Sequence, residues 1–143
     1  MAGVYSFKDL LVWQKAHELV IAVYKVTSLF TDEERYGLTS QLRRAAVSVA
    51  ANIVEGYRRK GFKDSLNFYN KSDSSLEEVR YLLFLSQDLQ YILNEKYEQL
   101  ESLSCDVSRM LHAWVKSQKE NVHNSECTVP RLSRLTSLYL AKN

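Results

Sequence analysis

Gln41, Arg44, Ser48, Asn52 and Glu55 follow one another at spacings of 3, 4, 4 and 3 residues. That spacing sets them in line along one face of a helix. A guanidinium, a hydroxyl, an amide and a carboxylate in one row could hold a polar ligand or assemble a catalytic site. The row contains no nucleophile paired with a base, and a lone carboxylate is not an acid/base dyad. Arg44 and Glu55 stand about 16 Å apart along a helix axis, too far to pair with each other. Each calls for a partner on another helix, and Ser75 and Glu78 are the nearest candidates in type. The favoured reading is a buried polar network that fixes helix register. A ligand or catalytic site is the alternative.

A second group is cationic. Arg58, Arg59 and Lys60, with Lys63 just beyond, cluster at a corner flanked by the aromatic residues Tyr57 and Phe62, and Arg43 lies further back on the predicted second helix. Basic side chains beside aromatic rings suit phosphate contacts and base stacking. The plainer reading is a solvated corner whose charge complements a helix C-terminus. The charge distribution bears on the choice. From Arg35 to Lys63 there are seven basic residues and one acid, a net +6, against −4 for the rest of a chain whose formal total is +2. Basic charge is therefore concentrated around the second helix rather than spread.

Other chemistries find little support. His17, His112 and His123 are scattered, and neither they nor Cys105 and Cys127 show a metal-ligand spacing. There is no Gly-rich phosphate loop, and Trp13 and Trp114 read as core or interface residues. The expectation is a protein without catalytic residues, metal or cofactor. No run of 18 apolar residues and no signal-like N-terminal segment stands in the sequence, so no membrane association and a cytoplasmic location are expected.

The elements that must position these residues are helical. With 143 residues, four Gly and one Pro, the chain has little turn material and a length suited to one domain. Ser6 and Asp9 signal a helix start, and a first helix is expected from Lys8 to Leu29. Its inner face would carry Trp13, Ala16, Val20, Val23, Tyr24 and Thr27, widened by Val12, Leu19 and Val26. A short turn capped by Thr31 follows, and Gly37 breaks the pattern. A second helix is expected from Thr39 to Arg59, burying Leu42, Ala46, Val49, Ile53 and Tyr57. A third runs from Phe62 to Leu93. Asn70 to Ser75 contains no apolar residue, but no Gly or Pro supports a break there. Its inner seam is Leu76, Val79, Leu83, Leu89 or Gln90, and Leu93. Asn94 caps a fourth helix to Lys119, with Tyr97, Leu100, Leu103, Val107, Met110 and Trp114 as its seam. The expected architecture is all-α: an antiparallel up-down four-helix bundle over residues 1–120 and a loosely ordered or docked tail over 121–143, where Leu132, Leu135, Leu138 and Tyr139 could form a short amphipathic turn.

One sector of the second helix remains. Arg43, Val47, Ala50, Val54 and Arg58 share it, and its middle is apolar where a solvated helix would carry Lys or Glu. It needs another helix layer or another subunit, and the second reading makes Val47, Ala50 and Val54 an oligomer interface.

The segments FKDLLVWQKAHEL, YGLTSQLRRAAVSVAANIVEG and SSLEEV resemble the bacterial four-helix-bundle proteins encoded in intervening sequences of 23S ribosomal RNA genes, sometimes labelled S23 ribosomal proteins. The resemblance spans about residues 6–119 and is carried chiefly by Gln41, Arg44, Ser48, Asn52, Ile53, Glu55 and Gly56. Ala50 stands where that family often has Pro, and Lys71 to Ser74 replace its usual small residues and Gly. The resemblance implies a subunit of a ring-shaped homopentamer. The family's fold is similar to that of the accessory variability determinant of diversity-generating retroelements, a basic pentameric barrel that binds nucleic acid and works with a reverse transcriptase. Residues and resemblance together lead to the expectation of a non-enzymatic, homo-oligomeric bundle that associates with RNA or DNA through its basic surface. The alternative is an assembly or scaffold protein whose ring binds another protein, a reverse transcriptase included.

Overall fold

Apolar side chains at helical spacing decide the architecture. In the computed structural model, which describes residue 3 and residues 5–128, with side chains to residue 125, four helices form and no described residue lies in a strand. They are α1 (Leu11–Thr27), α2 (Leu38–Arg58), α3 (Phe62–Asp88) and α4 (Asn94–Thr128). Val12, Ala16, Leu19, Val23 and Val26 line the inner face of α1. Leu42, Ala46, Val49 and Ile53 do so on α2, and Leu76, Val79 and Leu83 on α3. Each helix packs against two others, α1 and α3 each lying between α2 and α4. Contacts between neighbours run in opposite residue order. Arg43 meets Thr27, Ser48 meets Ser75, Gln41 meets Glu78, Arg80 meets Glu101 and Asp73 meets His112. Successive helices are therefore antiparallel, an up-down bundle.

Several boundaries differ from the sequence reading. Ser6 and Asp9 form a capping box, but on a 3-10 turn at Phe7–Asp9. Leu10, with extended backbone and a buried side chain, separates that turn from α1. Thr31 forms no side-chain cap on the 3-10 turn at Asp32–Glu34. Glu34 takes over the capping duty instead. Its Oε2 accepts from the Leu38 N–H at 2.9 Å, and its Oε1 accepts from the Tyr91 hydroxyl at 3.2 Å. One carboxylate thus caps α2 and ties its start to the α3–α4 connection. Gly37 makes room, because a Cβ there would stand 2.8 Å from Glu34 Oε2.

Helix α3 passes unbroken through Asn70 to Ser75 but stops at Asp88, short of Leu93. Gln90 turns the chain with φ of 63°, and Ile92 enters the core. Leu89 and Leu93, expected in the seam, are exposed for that reason. Asn94 is the first residue of α4 and receives a hydrogen bond from Gln87 rather than acting as a cap. On α4 the fully buried line is Leu100, Ser104, Val107 and Leu111, while Tyr97, Leu103, Met110 and Trp114 pack half-buried beside it. Because α4 continues to Thr128, the boundary expected at Asn121 falls inside a helix. The amphipathic turn expected around Leu132 to Tyr139 lies outside the described residues.

The sector proposed as an oligomer interface is largely closed within the subunit. Arg43 at one end of it is bonded to α1, Ala50 is only 8% exposed and Val54 is half-buried. Val47 alone of the three is open, at 42%. Helix α1 packs against α2, and Arg43 at the end of this sector is bonded to its Thr27.

Helices α2 and α3 approach closely at small residues. The Ser72 hydroxyl, fully buried, donates to the Val49 carbonyl at 2.8 Å. At Gly56 the Tyr69 ring occupies the space of the missing side chain, since a Cβ would lie 2.8 Å from Cδ1 and closer still to Cε1. Burial pushes the Tyr69 hydroxyl above its ordinary pKa, an effect the Trp114 side chain partly offsets. Replacing Gly56 by Ala must displace that ring. The expected cost is about 1–3 kcal/mol, the range for overpacking a tight contact, measured as a lower urea midpoint at unchanged slope. An Ala variant as stable as the parent would show that the two helices separate freely.

Candidate nucleic-acid interface

The polar row on α2 divides in two. Its middle forms a connected set: Ser48 and Ser75 hydroxyls lie 2.8 Å apart, and the Asn52 amide donates to the Ser48 carbonyl at 2.8 Å and to its hydroxyl at 3.0 Å. These groups are partly buried between α2 and α3, where unmade hydrogen bonds are costly. Gln41 reaches Glu78 at 3.4 Å on the exposed rim. The ends depart from expectation. Glu55 pairs with Arg59 one turn along its own helix at 3.1 Å, and both are exposed. Arg44 is exposed and makes no hydrogen bond or ion pair among the described residues. Neither needs a partner on α3, because solvent reaches both.

The cations at the α2–α3 corner are not equivalent. Arg59 is held by Glu55, lies 3.9 Å from Asp64 and stacks over Phe68 with its guanidinium 4.4 Å from the ring centre. Lys71 covers the same ring at 4.8 Å. Arg58, Lys60 and Lys63 are exposed. Arg43 belongs elsewhere. Its Nε donates to Thr27 Oγ1 at 2.8 Å, and its guanidinium sits 4.6 Å from the Tyr24 ring centre.

Around Arg43 the structure gathers residues that sequence reasoning left apart. A hollow of about 700 Å³ opens between the end of α1 and the first half of α2. Tyr24, Arg35, Tyr36, Arg43, Arg44 and Val47 are among its walls. Tyr36 and Arg44 also border a neighbouring cavity of about 510 Å³ closed on its far side by Ser75 and Glu78. Tyr24, expected in the core, is 44% exposed, and Tyr36 is 89% exposed. The available signal was the Arg-Tyr pair beside Gly37, two turns before Arg43 and Arg44. Its meaning depends on where α1 ends, which the sequence left open to Leu29.

Other titratable groups serve the fold. The Glu101 and Glu77 carboxylates hold the Arg80 guanidinium above its ordinary pKa, with Glu101 at 2.6 Å bridging α3 to α4. Burial raises the Tyr91 hydroxyl, and its bond to Glu34 adds to the shift. Burial is likewise the main cause of the raised Tyr97 hydroxyl, with Glu101 adding to it. His112 contacts Asp73 at 3.2 Å, and His17 stacks on Trp13. Among the described residues no group of three or more His, Cys, Asp or Glu side chains is placed to hold a metal. No described helix is long and apolar enough to cross a membrane.

Four antiparallel helices, tied by small polar contacts and carrying arginines along one of them, define an all-α bundle protein. The chain belongs to the 23S rRNA-intervening sequence protein family, whose model matches residues 8–113. It is similar to the crystal structure of a protein with unknown function from the S23 ribosomal protein family of Bacteroides thetaiotaomicron VPI-5482. The TM-score is 0.70 at 25% identity, over 76% of this chain and 98% of that one. Comparison with curated proteins finds no match.

The Asn52–Ser48–Ser75 set gives a direct test of its structural role. Asn52→Leu removes both amide donations and is expected to cost about 1–2 kcal/mol, seen as a lower thermal midpoint. An Asn52→Leu protein as stable as the parent would remove this network from the account.

Proposed function

We propose that this chain is a non-enzymatic accessory protein that binds nucleic acid through the basic face of α2 and works as a homo-oligomer. The observation that carries the reading is the placement of charge around that helix. Arg58 closes α2, Lys60 follows it and Lys63 lies in the first turn of α3, all three exposed; Arg35 precedes α2, Arg43 and Arg44 lie in its first half, and the one acid between Arg35 and Lys63, Glu55, is engaged by Arg59. Such a line of cations without paired acids favours a polyanion over a neutral or acidic protein. Of the candidate contacts, Arg58, Lys60 and Lys63 are the free ones, Arg43 is held at the α1 contact and Arg59 is mostly occupied.

Assembly draws support from the opposite edge of the bundle. Tyr81 and Phe84 on α3 are exposed one turn apart, and Phe84 meets the Tyr97 ring of α4 at 6.2 Å. An exposed aromatic patch of this kind marks an interaction surface. A second copy of the chain on this edge leaves the α1–α2 edge open, and a ring of five follows the pattern that the family resemblance implies. The same patch also supports the second reading, a scaffold that docks a different protein, a reverse transcriptase being the partner suggested by resemblance.

Two measurements test the reading. Affinity for structured RNA and duplex DNA should fall between about 50 and 200 mM salt, with a slope near 0.9 per phosphate contact on duplex. Changing Arg58, Lys60 and Lys63 together to Glu should weaken binding to both. Affinity indifferent to salt overturns the nucleic-acid reading. Light scattering should report a multiple of the 16.6 kDa chain, five copies by the family pattern. A lone 16.6 kDa particle at micromolar concentration overturns the assembly reading.

A further inference from the structure

The geometry points to the hollow between α1 and α2 as a seat for a single-stranded segment of nucleic acid, with a base stacked on Tyr36 and the flanking phosphates on Arg35, Arg43 and Arg44. This rests on the nucleic-acid reading above and adds which strand form is bound and where.

The ring of Tyr36 is 89% exposed on a connection that is otherwise well anchored. The anchoring comes from Glu34, whose carboxylate is bonded to the Leu38 N–H and to the Tyr91 hydroxyl. A large aromatic ring held in water by a fixed backbone gains most from covering its face. Arg35 stands over one face of the Tyr36 ring, 5.7 Å from its centre, which leaves the other face for a base. Arg43 is held at the wall of the hollow by Thr27 Oγ1, the Tyr24 carbonyl at 3.5 Å and the Tyr24 ring, so its charge is pre-oriented there at little further ordering cost. Arg44 has no partner among the described residues and forms the wall shared with the adjoining cavity.

The volume fits the ligand class. About 700 Å³ lies within the range that encloses a drug-sized ligand, which a nucleotide is. The acids set the limits of the path. Asp32 and Glu33, exposed on the turn before Arg35, and the Glu34 carboxylate, held in its two hydrogen bonds, bound the path at one end, and Glu78, paired with Gln41, stands on the far side of the neighbouring cavity. A phosphate chain is thereby favoured on the α1 side of Arg44 and disfavoured toward α3. A duplex keeps its base faces inside the stack, so it can use the arginines but not the tyrosine. Single strands offer both contacts.

Fluorescence anisotropy with labelled RNA and DNA strands of about 10 nucleotides, within the usual span of a single-strand site, tests this against the matching duplexes. The parent chain should prefer the single strands. Tyr36→Ala should weaken them by about 5- to 150-fold, the equivalent of one lost stacking contact, and leave duplex affinity unchanged. Tyr36→Phe should retain the preference. Arg44→Glu should weaken both forms. Because both side chains are exposed, circular dichroism should report an unchanged helical content for each variant. Parent-like affinity of Tyr36→Ala for single strands overturns the proposal, as does an equal loss on duplex and single strand. If the parent binds nucleic acid and only the Arg58, Lys60 and Lys63 changes matter, the broader reading stands and this site falls. If the parent binds neither form, both fall.

Discussion

The Tyr69 ring lies where residue 56 would carry its side chain, and the rest of the bundle is arranged around that close approach of α2 and α3. Gly56 permits it, and fully buried Ser72 extends it by giving its hydroxyl to the Val49 carbonyl. Serine is small enough for the gap and brings its own acceptor-seeking proton, so closeness costs no unsatisfied polar group. The same constraint explains the segment from Asn70 to Ser75, which lacks apolar residues. A larger apolar side chain at position 72 would push the helices apart, and Ser75 is used to meet Ser48. The absence of apolar residues there reflects tight packing at Ser72 and Ser75 and solvent exposure at Asn70, Lys71 and Ser74, rather than a turn.

With α2 and α3 joined in this way, the two outer edges of the bundle differ in character. The α3–α4 edge is bridged by Arg80 and Glu101 and presents exposed aromatic side chains. The α1–α2 edge is bridged by Arg43 and Thr27 and presents guanidinium groups beside tyrosines. Apolar surface favours contact with another folded protein, whereas cations beside ring faces favour a phosphate chain with bases. Glu34 is the link between the edges, since it ties the start of α2 to Tyr91 in the α3–α4 connection.

The helices and their inner faces were legible in the sequence because burial imposes a period that residue type alone reveals. Leu42, Ala46, Val49 and Ile53 announce one face of α2, and Leu76, Val79 and Leu83 one face of α3. Family membership was legible too, through Gln41, Arg44, Ser48, Asn52, Ile53, Glu55 and Gly56. What those residues do was less so. Ser48 and Asn52 make the contacts that a polar row suggests, while Arg44 and Glu55 of the same row face solvent. A wheel gives the angle of a residue about its own axis and nothing about which neighbour lies there. That Ala50 is only 8% exposed within the single chain is something no wheel could show.

By itself the sequence determined four amphipathic helices, their order and the concentration of positive charge around the second, since each follows from local spacing and composition. The tertiary structure alone decided which side chains meet. It bent the chain at Gln90 so that Ile92 rather than Leu93 enters the core, turned Tyr24 outward to Arg43, and set Tyr36 beside Arg35 at the mouth of a hollow. Those outcomes depend on distances between separate elements, which are fixed only when the helices pack.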